Sequence, residues 1–450
     1  MDNKTEIFEK APIPKAVASM AVPSILSMIV VIIYNMADTF FIGQTGNSLM
    51  VSAISLSSPL FLAFTAFSGM FGIGGSSTIS RLLGMGEHDR AKKISAFCCY
   101  GTLIFGVVIG AIILIFMNPL LSLIGTTEST YVYTKEYLMW IAIGGPFIVF
   151  SGAFGNIIRS EGASKDAMIG NIAGSITNII LDPIMILALD MGVSGAAIAT
   201  IIGNMVACMV YASYFFRKET FLSIRPSDFK PSFRLAWDVA SIGLPSTCSS
   251  ILAAVANILL NRILVSYSDA AVAGMGIAQK INTVACYILL GLGSGIQPLI
   301  GYNYGSGNQK RLMGVFKFSS ICAVVVGSII TAIMVILRTP LIHAFINDAE
   351  VIAYGTKILV ALQMAGPILG LMFIGSSTIQ AMGKAFAAFI LNILRQGLFF
   401  IPTLYILNYF FGIDGAIYVT PLADYLAVII SYIVCIAYMR KMSSTHLNEN

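Results

Sequence analysis

The stretch SILSMIVVIIYNMADTFFIG, residues 24–43, is almost wholly apolar until it meets a carboxylate, Asp38. A helix needs about 20 apolar residues to cross a bilayer, and this run with its flanks supplies them. An unpaired charge at that depth costs several kcal/mol. Asp38 therefore has to be met by a partner, a proton or an ion, and the rest of the chain must supply the surroundings.

Composition sets the class. Of the 450 residues, 57% are hydrophobic and 10% are charged, where a soluble domain carries about 25% charged residues. The mean hydropathy of +0.87 agrees, so the chain reads as a polytopic membrane protein. Its seven cysteines all fall inside apolar segments and lack ligand-type spacing, which makes them small core residues instead of a disulfide or metal framework. The leader MDNKTEIFEKAPIPK has no small-residue cleavage site, and the apolar run after it is read as a retained first span.

Apolar runs between polar breaks place twelve spans, at 16–42, 52–80, 94–117, 132–154, 167–189, 195–216, 239–265, 271–300, 315–337, 354–375, 385–409 and 415–439. Lys and Arg crowd alternate connections: Arg90, Lys92 and Lys93 after the second span, Arg159 and Lys165 after the fourth, Arg225, Lys230 and Arg234 after the sixth, Lys310 and Arg311 after the eighth. The intervening connections carry almost none, which predicts that both termini are cytoplasmic.

The sequence also repeats. LGMGEHDR (83–90) returns as YGSGNQKR (304–311), AVPS (21–24) as GLPS (243–246), GGPF (144–147) as AGPI (365–368), and GVSGAAIAT (192–200) as GIDGAIYVT (412–420), all at offsets of 220 to 222 residues. Each copy holds an even number of spans, so the copies share one orientation. The expected fold is an all-α integral membrane protein of twelve transmembrane helices in two six-helix lobes, related by a pseudo-two-fold axis along the membrane normal. The N-terminal lobe is placed at 1–216, a basic cytoplasmic linker at 217–235, and the C-terminal lobe with a short tail at 236–450. Two lobes facing each other across a cleft form the architecture of a transporter.

Catalytic signatures are missing. The nearest approach to a GxxxxGK phosphate loop is AMGKAF, with Thr378 where the first glycine belongs, and His88, His343 and His446 lie in connections or the tail without metal-site spacing. No enzyme activity and no cofactor are expected, so energy for transport has to come from an ion gradient.

Three acids lie at membrane depth: Asp38, Asp182 and Asp424. At ~1.5 Å per residue, Asp182 is roughly 10 Å below the outer end of the fifth span, Thr200 about 12 Å inside the sixth, and Asp38 roughly 8 Å below Gly43. Asn178 precedes Asp182 by one helical turn, and Asn35 stands three residues before Asp38. Pro183 has no N–H to give the Ile179 carbonyl. Two carboxylates kept from water cannot both hold full charge cheaply, so this group is expected to share a proton or a sodium ion, and its occupancy to alter packing around spans one, five and six.

The C-terminal half carries Lys280, Arg395 and Asp424 at overlapping depths. A buried ion pair that neutralises Asp424 is the simpler reading; attraction of a cationic substrate by Asp424 is the sharper one. The pairs Gly106/Gly110, Gly170/Gly174 and Gly366/Gly370 have the spacing of helix-packing surfaces. Abundant Met and Phe would let a cleft adapt to varied apolar cations.

Together DTFFIG (38–43), GMGEHDRAKK (84–93), IIRSEG (157–162), NIILDP (178–183) and GAAIAT (195–200) resemble the multidrug and toxic compound extrusion (MATE) transporters, nearer their MepA-like bacterial branch, over essentially the whole chain. The resemblance implies drug efflux driven by inward proton or sodium flow, with the ion site at Asp38, Asn178, Asp182 and Thr200, and more weakly a cleft tyrosine at Tyr137. Acids that some members carry in spans seven and ten have no counterpart here, so coupling should rest on the N-terminal lobe. The expectation is an ion-coupled antiporter of lipophilic, cationic small molecules, a monomer in the bacterial cytoplasmic membrane with no nucleic-acid partner and no metal beyond a transient sodium ion at Asp38 and Asp182. A lipid-linked precursor flippase of similar architecture, or a receptor or scaffold that transports nothing, are the alternatives.

Overall fold

The computed structural model describes residues 2–216 and 220–447, which are helical almost throughout and contain no strand. Spans one to nine are Ile13–Gln44, Ser48–Gly84, His88–Ile115, Glu128–Arg159, Ser164–Ala188, Gly192–Phe215, Phe233–Val265, Asp269–Gly305 and Gln309–Ile336. Polar residues at the breaks start these helices. Asn47 accepts from Leu49 N–H, Ser268 from Ala270 N–H, and Thr127 and Thr130 form a reciprocal capping box. Span ten is not the continuous helix expected at 354–375. It consists of Ala349–Gln363 and Gly366–Ala381, bent by 50° at Met364 and Ala365, where Pro367 cannot donate to a preceding carbonyl.

Spans eleven and twelve run as one helical stretch, Ala385–Arg440, divided at Gly412, whose φ of 56° lies outside the helical region. Gly192, which opens span six, has φ 53° and is the repeat partner of Gly412. A residue with a Cβ adopts that conformation only at a cost, so both copies of the repeat keep glycine where one helix hands over to the next. With the bent pair and the Gly412 division, the described residues form the twelve spans of an all-α integral membrane protein.

The helices pack as two compact units. One is built around Leu26–Gly243; the other takes Phe8–Ile25 together with the chain after Leu244. The boundaries at Ile25/Leu26 and Gly243/Leu244 fall inside spans one and seven, within a few residues of the repeated prolines Pro23 and Pro245. In the second unit the start of span one is held closely: Gly295 and Gly291 face Ala21 and Ile25 backbone, and Arg311 donates to the Phe8 and Ala11 carbonyls at 2.5 and 2.6 Å. The first unit has its core in Phe64, Leu121, Leu138, Ile141 and Ile186.

The segment after span six lies against the first unit; its first residues, 217–219, are outside the described residues. Glu161 of the IIRSEG motif, only 1% exposed, accepts from the Tyr214 hydroxyl, from Thr220 Oγ1 at 2.8 Å and from the Phe221 N–H at 2.8 Å. Phe221 stacks on His88, and Tyr100 donates to the Ile224 carbonyl. Each hydrogen bond to a charged acceptor contributes about 1.5–3 kcal/mol. Glu161→Ala is therefore expected to release this segment, so that chymotrypsin cuts after Phe221 and Phe229 several-fold faster than in the parent. An unchanged digestion rate would show that the ring contacts alone hold it.

Candidate functional site

Spans five and six meet where neither has a side chain. A Cβ on Gly203 would lie 2.7 Å from the Gly174 carbonyl oxygen, and one on Gly174 2.6 Å from that of Gly203. The helices run antiparallel, so the residue one turn after Gly174, Asn178, is set against the residue one turn before Gly203, Thr200. Asn178 Nδ2 donates to Asp182 Oδ1 and to Thr200 Oγ1, each at 3.4 Å. Asp182 is fully buried, Asn178 is 3% exposed and Thr200 is 7% exposed.

Asp38 of span one and Tyr137 of span four complete the surroundings. Asp38 and Asp182 lie within electrostatic reach of each other, and Tyr137 within reach of both and of Tyr34. Three oxygens of this group, Asp38 Oδ1, Asn178 Oδ1 and Asp182 Oδ2, are buried with no hydrogen-bond partner among the described residues. A buried acceptor left without a donor is costly. All three carry negative charge or partial negative charge, so the group is an acceptor-rich nest that favours a proton or a hard cation.

A cavity of about 180 Å³ adjoins Asn178 and Thr200 and is lined also by Tyr34, Asn171 and Asn204. Asn204 donates to the Thr200 carbonyl at 2.7 Å and accepts from Ser151 Oγ at 2.5 Å, which holds span four against span six at this level. Asn171 Oδ1 is another buried acceptor without a partner among the described residues.

The structure brings Asp38, Asn178, Asp182, Thr200 and Tyr137 to one region. Asn35 is different: it is exposed and turns its amide onto the Val31 carbonyl of its own helix at 2.8 Å, so a spacing of three from Asp38 does not carry it into the nest. Tyr34, Asn171, Asn204 and Ser151 were not expected. Of these Asn204 had a legible signal, because the repeat offset of 220 residues pairs it with Asp424. The π-helix Pro183–Ala188 directly after Asp182 was not expected either. It accommodates Pro183 by widening the turn, with Leu189 N–H reaching the Ile184 carbonyl at 2.9 Å.

In the second unit Arg395 Nε donates to Asp424 Oδ1 at 2.6 Å, and the Asp424 side chain is 4% exposed. Lys280 is exposed and takes no part in this pair. Among the described residues no cluster of His, Cys, Asp and Glu has the make-up of a transition-metal site.

The MatE family profile matches residues 23–184 and again 245–406, two copies in register with the repeat. The chain is 32% identical to the multidrug export protein MepA of Staphylococcus saprophyticus and 31% identical to that of Staphylococcus haemolyticus, with 96% of each chain covered. Among solved structures, an outward-facing multidrug resistance MATE family transporter of the MOP superfamily superposes with a TM-score of 0.93 at 24% identity over 99% of both chains, and a MATE in the straight conformation with 0.92 at 24% over 98% of both. The profile covers well over half the sequence and the relatives are matched from end to end, so the chain belongs to the MatE family of multidrug and toxic compound extrusion transporters.

Proposed function

We propose that the protein is a cation-coupled multidrug antiporter of the bacterial cytoplasmic membrane, with both termini in the cytoplasm, which exports lipophilic, cationic compounds by alternating access. The observation that carries the coupling reading is the set of buried acceptor oxygens on Asp38, Asn178 and Asp182, which has no donor among the described residues. The names of the relatives support the export of drugs. Oxygen-only ligands, two of them carboxylate, suit a proton or a sodium ion equally.

In this mechanism the inward-moving ion neutralises the nest. While Asp182 is charged, its Oδ1 holds the Asn178 amide, which also reaches Thr200. Protonation or sodium binding weakens that acceptor and redirects the Asn178 amide, changing the link between spans five and six beside the cavity. Substrate binding and ion binding thereby become alternative states of one helix crossing. The test uses proteoliposomes holding ethidium, with either a pH gradient or a sodium gradient imposed. One of the two is expected to drive ethidium movement at least about tenfold above the ungraded control, the scale of a coupling free energy of 1.4 kcal/mol. Movement that ignores both gradients would remove ion coupling.

A further inference from the structure

The second unit contains a polar cavity of about 190 Å³ that the coupling scheme does not use. It lies at the π-helix Leu394–Phe399, about 15 Å along span eleven from Ala385 by helical rise. Its polar wall includes Asn257, Gln279, Asn282, Arg395, Thr420 and Asp424.

Several polar groups of the wall are already engaged. Asp424 Oδ1 is engaged by Arg395 Nε, Asn257 Oδ1 by Gln279 Nε2 at 3.0 Å, and Asn282 Oδ1 by Gln363 Nε2 at 2.9 Å. Gln363, at the bend of span ten, is itself held through its carbonyl by Thr331. The two Nη groups of Arg395 have no partner among the described residues, and the side chain keeps 20% of its surface accessible. A cation entering here would find Asp424 Oδ2, but with the guanidinium beside it. A carboxylate would meet two parallel N–H donors in the planar fork that matches it. Asp424 cancels the charge of Arg395 without occupying those donors, so the ligand need not be a net anion.

We propose that this cavity is a second binding site, which receives the carboxylate of an organic acid or zwitterion on the Nη face of Arg395. The site is independent of the ion nest.

The test measures binding of rhodamine B, which carries a free carboxylate, and of its ethyl ester, which does not, to the purified full-length protein by fluorescence polarisation. Benzoate is expected to displace rhodamine B from the parent protein and to leave the ester bound. Arg395→Lys keeps the charge beside Asp424 and loses the fork; it is expected to weaken rhodamine B about tenfold, on the scale of one charge-assisted hydrogen bond, and to leave the ester's affinity unchanged. Equal weakening of both dyes, or failure of benzoate to compete on the parent protein, overturns the proposal. The competition needs no variant, so it decides the matter even if Arg395→Lys does not fold. No ion gradient is involved, so a failure of the coupling reading would leave this result standing.

Discussion

Asp182→Asn is expected to reduce gradient-driven ethidium movement in proteoliposomes to the leak of protein-free vesicles, while ethidium binding to the purified protein survives. The substitution preserves shape and leaves an amide able to face Asn178, but it removes the group that takes up and releases the ion. Asp182 is fully buried and one of its oxygens has no partner among the described residues, so the charged form is expensive in the resting protein. The variant should therefore melt no lower than the parent, and removal of a buried, imperfectly paired charge can raise the melting temperature. Asp38→Asn is expected to act in the same direction. Gradient-driven movement at the parental rate in both variants would take the two carboxylates out of the coupling step, and a large fall in melting temperature would assign them to structure.

The part of this site that the sequence makes legible is the part set by helix geometry alone. Asn178 and Asp182 stand four apart on one helix, and they are bonded in the structure. Thr200 could be placed by depth because spans five and six are consecutive and joined by a short turn at Gly192. What the sequence hides depends on local register. Asn35 has the spacing of a site residue, yet a polar side chain in a helix can bond its own preceding turn, and Asn35 does so at Val31. The π turn after Asp182 and the one holding Arg395 leave no periodic signature, because one extra residue in a turn is invisible to a pattern count. The twelve spans follow from run length, but the break in span ten at Met364 and Ala365 does not. Gln363 and Pro367 interrupt its apolar run, but Pro146, the repeat partner of Pro367, lies inside a continuous span four, so a proline alone does not announce the bend, which arises from Pro367 together with the tertiary bonds on Gln363.

The crossing of Gly174 and Gly203 sets the geometry of the nest, and this gives the second large effect. Gly203→Ala is expected to lower the melting temperature and to impair gradient-driven ethidium movement although every ion-binding residue is retained, and Gly203→Val to do so more severely. The added Cβ would lie 2.7 Å from the Gly174 carbonyl oxygen and 3.1 Å from Asn178 Cβ, so backbone has to move instead of a side-chain tip. Overpacking of this kind costs about 1–3 kcal/mol for one added methyl-sized group. The shift falls on the 3.4 Å contacts of Asn178, which are already long and have no slack to lose. Gly69→Ala in span two is the control, because a Cβ there meets nothing within 4 Å. It should be neutral or stabilise by about 0.4–1 kcal/mol through the lower entropy of the unfolded chain. A Gly203→Ala protein with the parental melting temperature and transport rate would mean that spans five and six tolerate separation, and the alignment of Asn178 with Thr200 would then have to be held by span four through Ser151 and Asn204.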